Sequence, residues 1–511
     1  MTPGRSRAPA GPDGPAAITV RTARNGRPDV TAQRPNVLVV LTGQQTADAM
    51  GTAGNPYLAT PHMDSLAATG TRYRRAYCGQ PLCAPSRTGL LTGRLPSATG
   101  ATGATADGAP LGRVFAEAGY DCVYTGSWQL PEHEAPDRHG FRRLHPTGTD
   151  GRDRTDGSVG TVGTDAGFTR TVTGFLTRPR SRPFLLLLPL PEPHGISAWA
   201  RGQDPSTGPL PPPPPAAQCP PLPANHPRAP YEAGLPRLAQ RARPHAHPIA
   251  EWREDDWRRY RHAYYALVER ADQQLGTVLA AVREQRRWSG RETVVVLTSE
   301  HGDGAGAHGW NEKWALFEEV VRVPFLIGGP GVAAGEVSDR LVSVGEDLLP
   351  TLCDLTGVPL PPDLVGPTGP EGPTDQVGPA GPAPSLSPSP SPSTGPRLRP
   401  GLPGRSVLAP EPRETVVVET HWELPGFEDA LGRMVRDERH KYVCYAWGDN
   451  REQLFDLVED PGEMVNLAAD ARNAALLDRF RALLAEHCVG TGDPFGRFVP
   501  AHDDAHAPNG G

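Results

Sequence analysis

The chain has 511 residues and a formal net charge of −7, with 51 Lys and Arg residues against 58 Asp and Glu residues. This near balance argues against nucleic acid and against a membrane surface as partners, and no stretch approaches the ~18 consecutive apolar residues of a membrane span. The seven cysteines have neither metal-type nor disulfide-type spacing, and no signal peptide is evident, so we expect a cytoplasmic protein, with leaderless export as the alternative.

Short hydrophobic runs along the chain predict buried strands. Residues 1–33 are rich in Gly, Pro, Ala and Arg and predict a disordered tail. The first uninterrupted run, 37–41, predicts a strand that is buried on both faces. Comparable runs follow at 123–124, 184–188, 293–297 and 324–327. Between 254 and 284 the apolar residues repeat with the spacing of an amphipathic helix.

Strands that alternate with amphipathic helices predict an α/β fold built on a large, mostly parallel sheet. In such sheets the functional groups gather outside the carboxyl ends of the strands. Residues 42–48, 189–194 and 299–303 each follow a predicted strand. We therefore expect the polar groups of these three segments to converge on one site.

Stretches rich in Pro and Gly divide the chain. Residues 205–230 include five consecutive prolines and predict a polyproline-type surface loop within a domain that spans 34–360. Residues 361–402 are dominated by Pro, Gly and Ser and predict a flexible insert, because their three-residue Gly period is too brief for a collagen-type helix. Short alternating segments and a helical pattern then predict a small α+β subdomain at 403–490, followed by a flexible tail at 491–511.

The most distinctive segment of the chain is Cys83-Ala-Pro-Ser-Arg87-Thr-Gly-Leu-Leu-Thr-Gly. This pattern resembles the signature of type I sulfatases, a family of the alkaline phosphatase superfamily. Other segments that resemble the family occur in its order along most of residues 34–470, and they begin at Arg34, Thr60, Gln80, Val342 and Leu454. The resemblance implies the fold of that superfamily, with a large mixed sheet flanked by helices and a small C-terminal sheet domain.

The resemblance also assigns chemical roles to four residues. In that family the cysteine is oxidised to formylglycine (3-oxoalanine) by a formylglycine-generating enzyme, and the hydrated aldehyde attacks sulfur. By resemblance, Cys83 is the precursor of the nucleophile and Arg87 holds the hydrate. His194 would assist the leaving group, and Lys313 would contact the sulfate. Lysine is scarce in this chain, since only Lys313 and Lys441 occur, and this scarcity strengthens the assignment of Lys313.

A metal site is expected beside these residues. Sulfate transfer builds negative charge on oxygen, so the site needs a divalent cation and fixed positive groups. The resemblance places metal ligands after the first strand and after a later strand. Glu300 and His301 occupy the later positions, and Gln44 is the candidate after the first strand because Gly43 has no side chain to offer. Ca²⁺ is the expected ion, with Mg²⁺ and Mn²⁺ as alternatives.

Two further positions depart from the family pattern. Relatives carry Gly-Lys-Trp-His-Leu where this chain has Gly-Ser127-Trp-Gln129-Leu. Ser127 and Gln129 are candidates for hydrogen bonding to substrate, but neither carries a charge. His308 also matches a family position and is a further candidate for substrate binding. The carboxylates of Asp303 and Glu312 are expected to be solvated.

The sequence supports three interpretations. The first is a sulfatase-like hydrolase that cleaves a small-molecule sulfate ester, or a related phosphate or phosphonate ester. The second is a catalytically impaired relative that binds an anion or a protein without turnover, which Gly43, Ser127 and Gln129 favour. The third is a different transferase on the same fold.

Overall fold

The predicted hydrophobic runs form strands of one large sheet in the computed structural model, which describes residues 33–99, 110–126, 128–130, 135–144, 165–360, 404–424 and 426–501. The strands of this sheet are β1 (Asn36–Thr42), β2 (Gly70–Tyr77), β3 (Asp121–Tyr124), β4 (Arg142–Arg143), β5 (Phe184–Leu190), β6 (Thr293–Ser299), β7 (Phe325–Gly328) and β8 (Glu336–Ser343). Their order across the sheet is β4-β3-β5-β1-β6-β7-β2-β8. Strand β7 runs antiparallel to both of its neighbours, and the other neighbouring pairs are parallel. The α/β fold with a large, mostly parallel sheet is therefore confirmed.

The central strands are hydrophobic throughout because both faces of the sheet are covered. All seven residues of β1 are buried, as are all seven residues of β5 and of β6. Along β1, Val37, Val39 and Leu41 join the core on one face, whereas Leu38 and Val40 join the core on the other. This alternation follows from the two-residue period of a strand.

Helices cover both faces of the sheet. The α-helices of the described residues are α1 (Pro61–Thr69), α2 (Cys83–Thr92), α3 (Pro96–Thr99), α4 (Pro110–Glu117), α5 (Asp165–Leu176), α6 (Ile196–Ala200), α7 (Gly234–Ala242), α8 (Glu254–Ser289), α9 (Glu318–Val321), α10 (Val344–Thr356) and α11 (Ala474–Thr491). The last of these, α11, packs instead on the small C-terminal sheet. The longest, α8, confirms the predicted amphipathic helix and buries an aromatic stripe that includes Trp257, Tyr260 and Tyr264. Two of these aromatic residues also contact the site described below.

A second, antiparallel sheet with the strand order β12-β11-β10-β9 follows in the C-terminal part. Its strands are β9 (Val416–His421), β10 (Leu431–Arg436), β11 (His440–Tyr445) and β12 (Glu452–Asp456). The chain stays folded past residue 490, where the sequence suggested a tail: Pro494–Phe498 forms a 3-10 helix with Phe495 fully buried. The ring of Phe495 holds this segment down because it packs in the small-sheet core and lies 4.8 Å from the Arg433 guanidinium carbon.

Several predicted features concern loops and termini. The tail up to residue 32 and the insert at 361–402 lie outside the described residues. Within 205–230 the structure has one 3-10 turn, Ala216–Gln218, and no other helix or strand.

All seven cysteines are free thiols. In the part of the chain that the structure describes, no helix has the length and apolar character needed to span a bilayer.

Candidate active site

The site lies at the carboxyl ends of the central strands. In the register of the sheet, Thr42 at the end of β1 is paired with Leu190 of β5 and with Ser299 of β6. The residues that follow these strands consequently emerge side by side at one edge. The Glu300 amide donates a hydrogen bond to the Thr42 carbonyl at 3.1 Å, which ties two of these segments together. The predicted convergence of the three strand ends is confirmed.

Cys83 is the centre of a close cluster. It is the first residue of α2, and its Sγ lies 3.4 Å from His301 Nε2. Lys313 Nζ donates to the same sulfur at 3.4 Å and to His194 Nε2 at 3.2 Å. Four residues that lie far apart in the sequence thus meet around one atom. The amino end of α2 adds partial positive charge at this point.

The cluster is arranged to favour negative charge at position 83. Burial alone would raise the pKa of the Cys83 thiol, but Lys313 and His194 outweigh it and lower that pKa. Burial and the nearby Lys313 charge lower the pKa of His194, and the same two causes bring the pKa of His301 to about 4. Both imidazoles are therefore neutral at neutral pH. Burial opposes the charge on Lys313, but Cys83 and Glu312 raise its pKa, so the ammonium group stays charged.

A buried ion pair lies beside the cluster. The Nε of Arg87 donates to Glu300 Oε1 at 2.6 Å, and its Nη2 also contacts that oxygen. The Nη1 of Arg87 donates to the Tyr124 hydroxyl at 2.7 Å and to the Trp128 carbonyl at 3.1 Å. The side chain of Glu300 is only 1% exposed, and its Oε2 has no hydrogen-bond partner within the described structure. One carboxylate oxygen is thus paired with arginine and the other is left available.

Gln44 has a strained backbone and a defined side-chain orientation. Its φ is 75°, in the left-handed region that non-glycine residues rarely adopt. Its Nε2 donates to Asp303 Oδ2 at 2.7 Å and approaches Glu312 Oε2 at 3.3 Å. Only the amide nitrogen can donate to carboxylates, so the network fixes the orientation of the amide. Gln44 Oε1, which points away from these carboxylates, is buried and has no hydrogen-bond partner in the described part of the chain.

The expectation that Asp303 and Glu312 are solvated is wrong. Asp303 is fully buried and Glu312 is 2% exposed. Asp303 accepts hydrogen bonds from the backbone amides of Ala305 and Glu312 and from the hydroxyl of Tyr260 on α8. The sequence could not reveal this, because the aromatic residue that covers the carboxylate comes from an element more than 40 residues away. Through the Glu312 amide, Asp303 also fixes the loop that carries Lys313.

We expect the buried acid pair Asp303 and Glu312 to make the free energy of unfolding depend on pH. Burial, followed by the charge of Glu312, raises the pKa of Asp303 from 3.8 to about 7. The folded state therefore binds more protons than the unfolded state between about pH 4 and about pH 7, and the free energy of unfolding should fall as pH rises through that window. Glu312→Gln removes one cause of the raised pKa and should make this fall smaller. Urea unfolding at the two ends of the window, with the exposed Glu428→Gln as control, measures the change. An unchanged fall in Glu312→Gln would refute the coupling.

Several buried ligand atoms in this site are suited to binding a divalent cation. Cys83, Glu300 and His301 each offer a ligand atom, and these atoms lie within 4.8 Å of one another. His301 Nδ1 lies 2.9 Å from the Gly302 carbonyl and must donate to it, so Nε2 carries the free lone pair. Glu300 Oε2 lacks a hydrogen-bond partner in the described structure, and so does the buried Gln44 Oε1 in the loop after β1. The carboxylate and amide oxygens suit Ca²⁺, Mg²⁺ and Mn²⁺, whereas the imidazole nitrogen is a ligand more typical of transition metals.

The three substrate-binding candidates have different positions. Ser127 lies outside the described residues. Gln129 is partly buried beside Trp128, whose carbonyl accepts from Arg87, and its Oε1 is buried without a hydrogen-bond partner in the described structure. His308 lies in another cluster: it stacks on Phe317 with ring centroids 4.1 Å apart, and its Nε2 lies 3.4 Å from Asn225 Nδ2. The structure therefore brings Gln129 to the edge of the Arg87 contacts and keeps His308 in a separate group.

Sequence reasoning missed the residues that support the cluster. Tyr124 ends β3 and contacts Arg87, while Tyr264 on α8 donates its hydroxyl to the Gln44 carbonyl at 2.8 Å. The same hydroxyl accepts from the Thr46 amide at 2.9 Å, so it braces the loop after β1 on both sides of Gln45. The four-residue spacing of Tyr260 and Tyr264 on one helix face was the available signal, and it was interpreted only as packing.

Known proteins resemble this chain over most of its length. A family model described as Sulfatase matches residues 35–358. The chain is 28% identical over 484 residues to the Delta 4,5-hexuronate-2-O-sulfatase of Bacteroides thetaiotaomicron. This alignment covers 91% of this chain and 90% of the relative. A solved 2-O GAG sulfatase superposes with a TM-score of 0.69 at 25% identity and covers 91% of this chain and 94% of that chain. The phosphonate monoester hydrolase of Agrobacterium radiobacter shares the fold, with a TM-score of 0.61 at 21% identity and coverage of 90% and 95%.

Proposed function

The chain belongs to the sulfatase family and is a sulfuric ester hydrolase, and we propose that it uses an oxygen nucleophile derived from Cys83. The observation that carries this proposal is the contact of Cys83 Sγ with both Lys313 Nζ and His301 Nε2. A thiol that served only as core filling would not lie between an ammonium group and an imidazole with a free lone pair. The placement suits a position where negative charge develops during the reaction.

Conversion of Cys83 to 3-oxoalanine by a formylglycine-generating enzyme would place a hydrated aldehyde at position 83, and this group would supply the oxygen nucleophile for the displacement of the alcohol from sulfur. The neighbouring residues have separate tasks in this proposal. Lys313 binds the sulfate oxygens and neutralises the charge that develops on them. Arg87, held by Glu300 and Tyr124, keeps the start of α2 in place. His194 is neutral and its Nε2 accepts a hydrogen bond from the Lys313 ammonium group, so it orients this proton donor towards the leaving oxygen.

A divalent cation completes the proposed site. Glu300 Oε2, His301 Nε2 and Gln44 Oε1 would hold it, and it would supply positive charge opposite the sulfate. We expect Ca²⁺, with Mg²⁺ and Mn²⁺ as alternatives. Glu300 is the only charged member of this set, and its other oxygen is already paired with Arg87. We therefore expect weaker binding than at a site with several carboxylates, because the number of charged ligands sets affinity.

The binding-module alternative is not favoured. The similarity to a named sulfatase extends over about nine-tenths of both chains, and the groups around Cys83 remain together. The space beside Gly43 is narrow, since a Cβ at position 43 would lie 3.2 Å from the Cβ of His194. His194 thus takes up the space that a larger residue at position 43 would need. We propose sulfated sugars as the first substrates to screen, on the basis of the hexuronate named for the relative.

Removal of the metal tests the proposal. Glu300→Gln keeps a hydrogen-bond acceptor for Arg87 but removes the charge, so Ca²⁺ affinity should fall by about tenfold or more. Calorimetric titration with Ca²⁺, Mg²⁺ and Mn²⁺ measures this, and the exposed Asp48→Ala variant from the same strand-end loop serves as control. Chelation should likewise stop the release of sulfate from nitrophenyl sulfate, and a phenylphosphonate ester provides the second substrate arm. Full turnover of the chelated protein, or equal Ca²⁺ affinity in Glu300→Gln, would refute the metal assignment.

A further inference from the structure

We propose that Arg243 and Trp314 form a subsite for a sugar ring that carries a second anionic group, next to the position of the sulfate. This inference rests on the proposed function, because it names the substrate class of the same site. The guanidinium carbon of Arg243 lies 5.1 Å from the centroid of the Trp314 ring. Lys313 Nζ lies 5.5 Å from the centroid of that same ring. One indole is therefore flanked by two cations, of which one already touches Cys83.

The distances limit how far apart the two cations can be. Since both lie within 5.5 Å of one centroid, their separation cannot exceed twice that value. A single sugar ring with an anionic group at each end can bridge such a span. The indole is partly exposed although the His247 ring centroid lies 5.9 Å from its own, and an exposed aromatic ring is a surface on which sugars stack.

The chain holds Trp314 firmly in this place. Its φ of 73° is in the left-handed region, which a bulky residue adopts only when its surroundings enforce it. The Trp314 amide donates to the Pro81 carbonyl at 3.0 Å, two residues before Cys83. The Trp314 carbonyl accepts from the Thr420 hydroxyl on β9. The backbone of Trp314 is thus tied on one side to the nucleophile segment and on the other to the small sheet.

Arg243 forms no ion pair within 4.0 Å in the described part of the chain, and Glu423 supplies the nearby negative charge. Arg243 follows the last residue of α7, is partly exposed, and donates to the backbone carbonyl of Glu423. Neither Arg243 nor Lys313 has an ion-pair partner within 4.0 Å among the described residues, in contrast to Arg87 and Arg237. A guanidinium beside an aromatic face pairs well with a planar carboxylate and also with a sulfate. The shared chemistry is an anion on the sugar, and the experiment separates these two sources.

The test compares substrates rather than absolute rates. The substrates are a sulfated uronic acid, a disulfated neutral sugar, a monosulfated neutral sugar and nitrophenyl sulfate. Arg243→Gln keeps a donor for the Glu423 carbonyl but removes the charge. A charged hydrogen bond is worth about 1.5–3 kcal/mol, so kcat/KM for the doubly anionic sugars, relative to nitrophenyl sulfate, should fall by about 10- to 100-fold. The exposed Arg241→Gln, two residues away, is the matched control.

Each result has a defined meaning. A fall for the uronic acid alone assigns the subsite to a carboxylate, and a fall for the disulfated sugar alone assigns it to a second sulfate. Equal ratios in wild type and Arg243→Gln would overturn the subsite while leaving the sulfatase proposal intact. Absence of turnover with every substrate would instead contradict the proposed function. In that case calorimetric binding of the sulfated uronic acid to the two proteins still decides the subsite, since equal affinities would overturn it.

Discussion

Replacing Cys83 with alanine should remove the sulfatase activity. The variant keeps Lys313 and His301 in place, so binding of sulfate survives while the nucleophile is lost. Loss of a nucleophile that acts together with its neighbours lowers kcat by about 10³-fold or more. We expect this decrease in kcat for nitrophenyl sulfate, with a KM that changes far less.

The matched control for this prediction is Cys78→Ala. Cys78 lies five residues earlier, is buried in the core, and has a thiol whose pKa burial raises. The Cys78→Ala variant should therefore keep nearly all of the wild-type activity, because the Cys78 thiol is not part of the cluster around Cys83. Turnover by Cys83→Ala at the wild-type rate would exclude residue 83 as the nucleophile.

Arg87→Ala should strongly destabilise the protein when metal is chelated. The substitution leaves the Glu300 carboxylate buried without its cation and removes the contacts to Tyr124 and Trp128. Breaking a buried ion pair from one side costs about 3–5 kcal/mol. Urea unfolding in the presence of chelator measures this loss as a decrease in the free energy of unfolding.

Two companion measurements sharpen the Arg87 prediction. The double variant Arg87→Met with Glu300→Gln should lose less stability than Arg87→Ala, because no buried charge is left unpaired. Added Ca²⁺ should restore part of the stability of Arg87→Ala, since a cation on Glu300 Oε2 replaces the lost positive charge. If the double variant is as unstable as Arg87→Ala, the loss comes from packing rather than from the unpaired charge.

The central sheet could be predicted from the sequence because its strands are buried on both faces. Continuous apolar runs such as 37–41 have no other explanation in an alternating α/β pattern. Strands β2 and β8 were missed for the opposite reason. Their segments, Gly70–Tyr77 and Glu336–Ser343, carry several charged residues because they lie at the outer part of the sheet and are partly exposed. Exposure removes the hydrophobic signal on which the prediction depends.

The site could be predicted only as far as strand ends and family motifs allow. These placed Cys83 and Lys313 near one another, although 230 residues separate them. They did not reveal that Arg87 and Glu300 pair directly, or that Asp303 is buried under Tyr260. Such contacts join elements whose relative position depends on packing of the whole domain. The space that His194 takes beside Gly43 is a further example, since it depends on the approach of two loops.

The most direct test of the central claim is mass spectrometry of the peptide that contains residue 83, taken from a preparation that releases sulfate from nitrophenyl sulfate. The protein should be produced with and without a formylglycine-generating enzyme. Our account predicts 3-oxoalanine at position 83, in an amount that rises in proportion to the activity of each preparation. A fully active preparation in which residue 83 is unmodified cysteine would contradict the account.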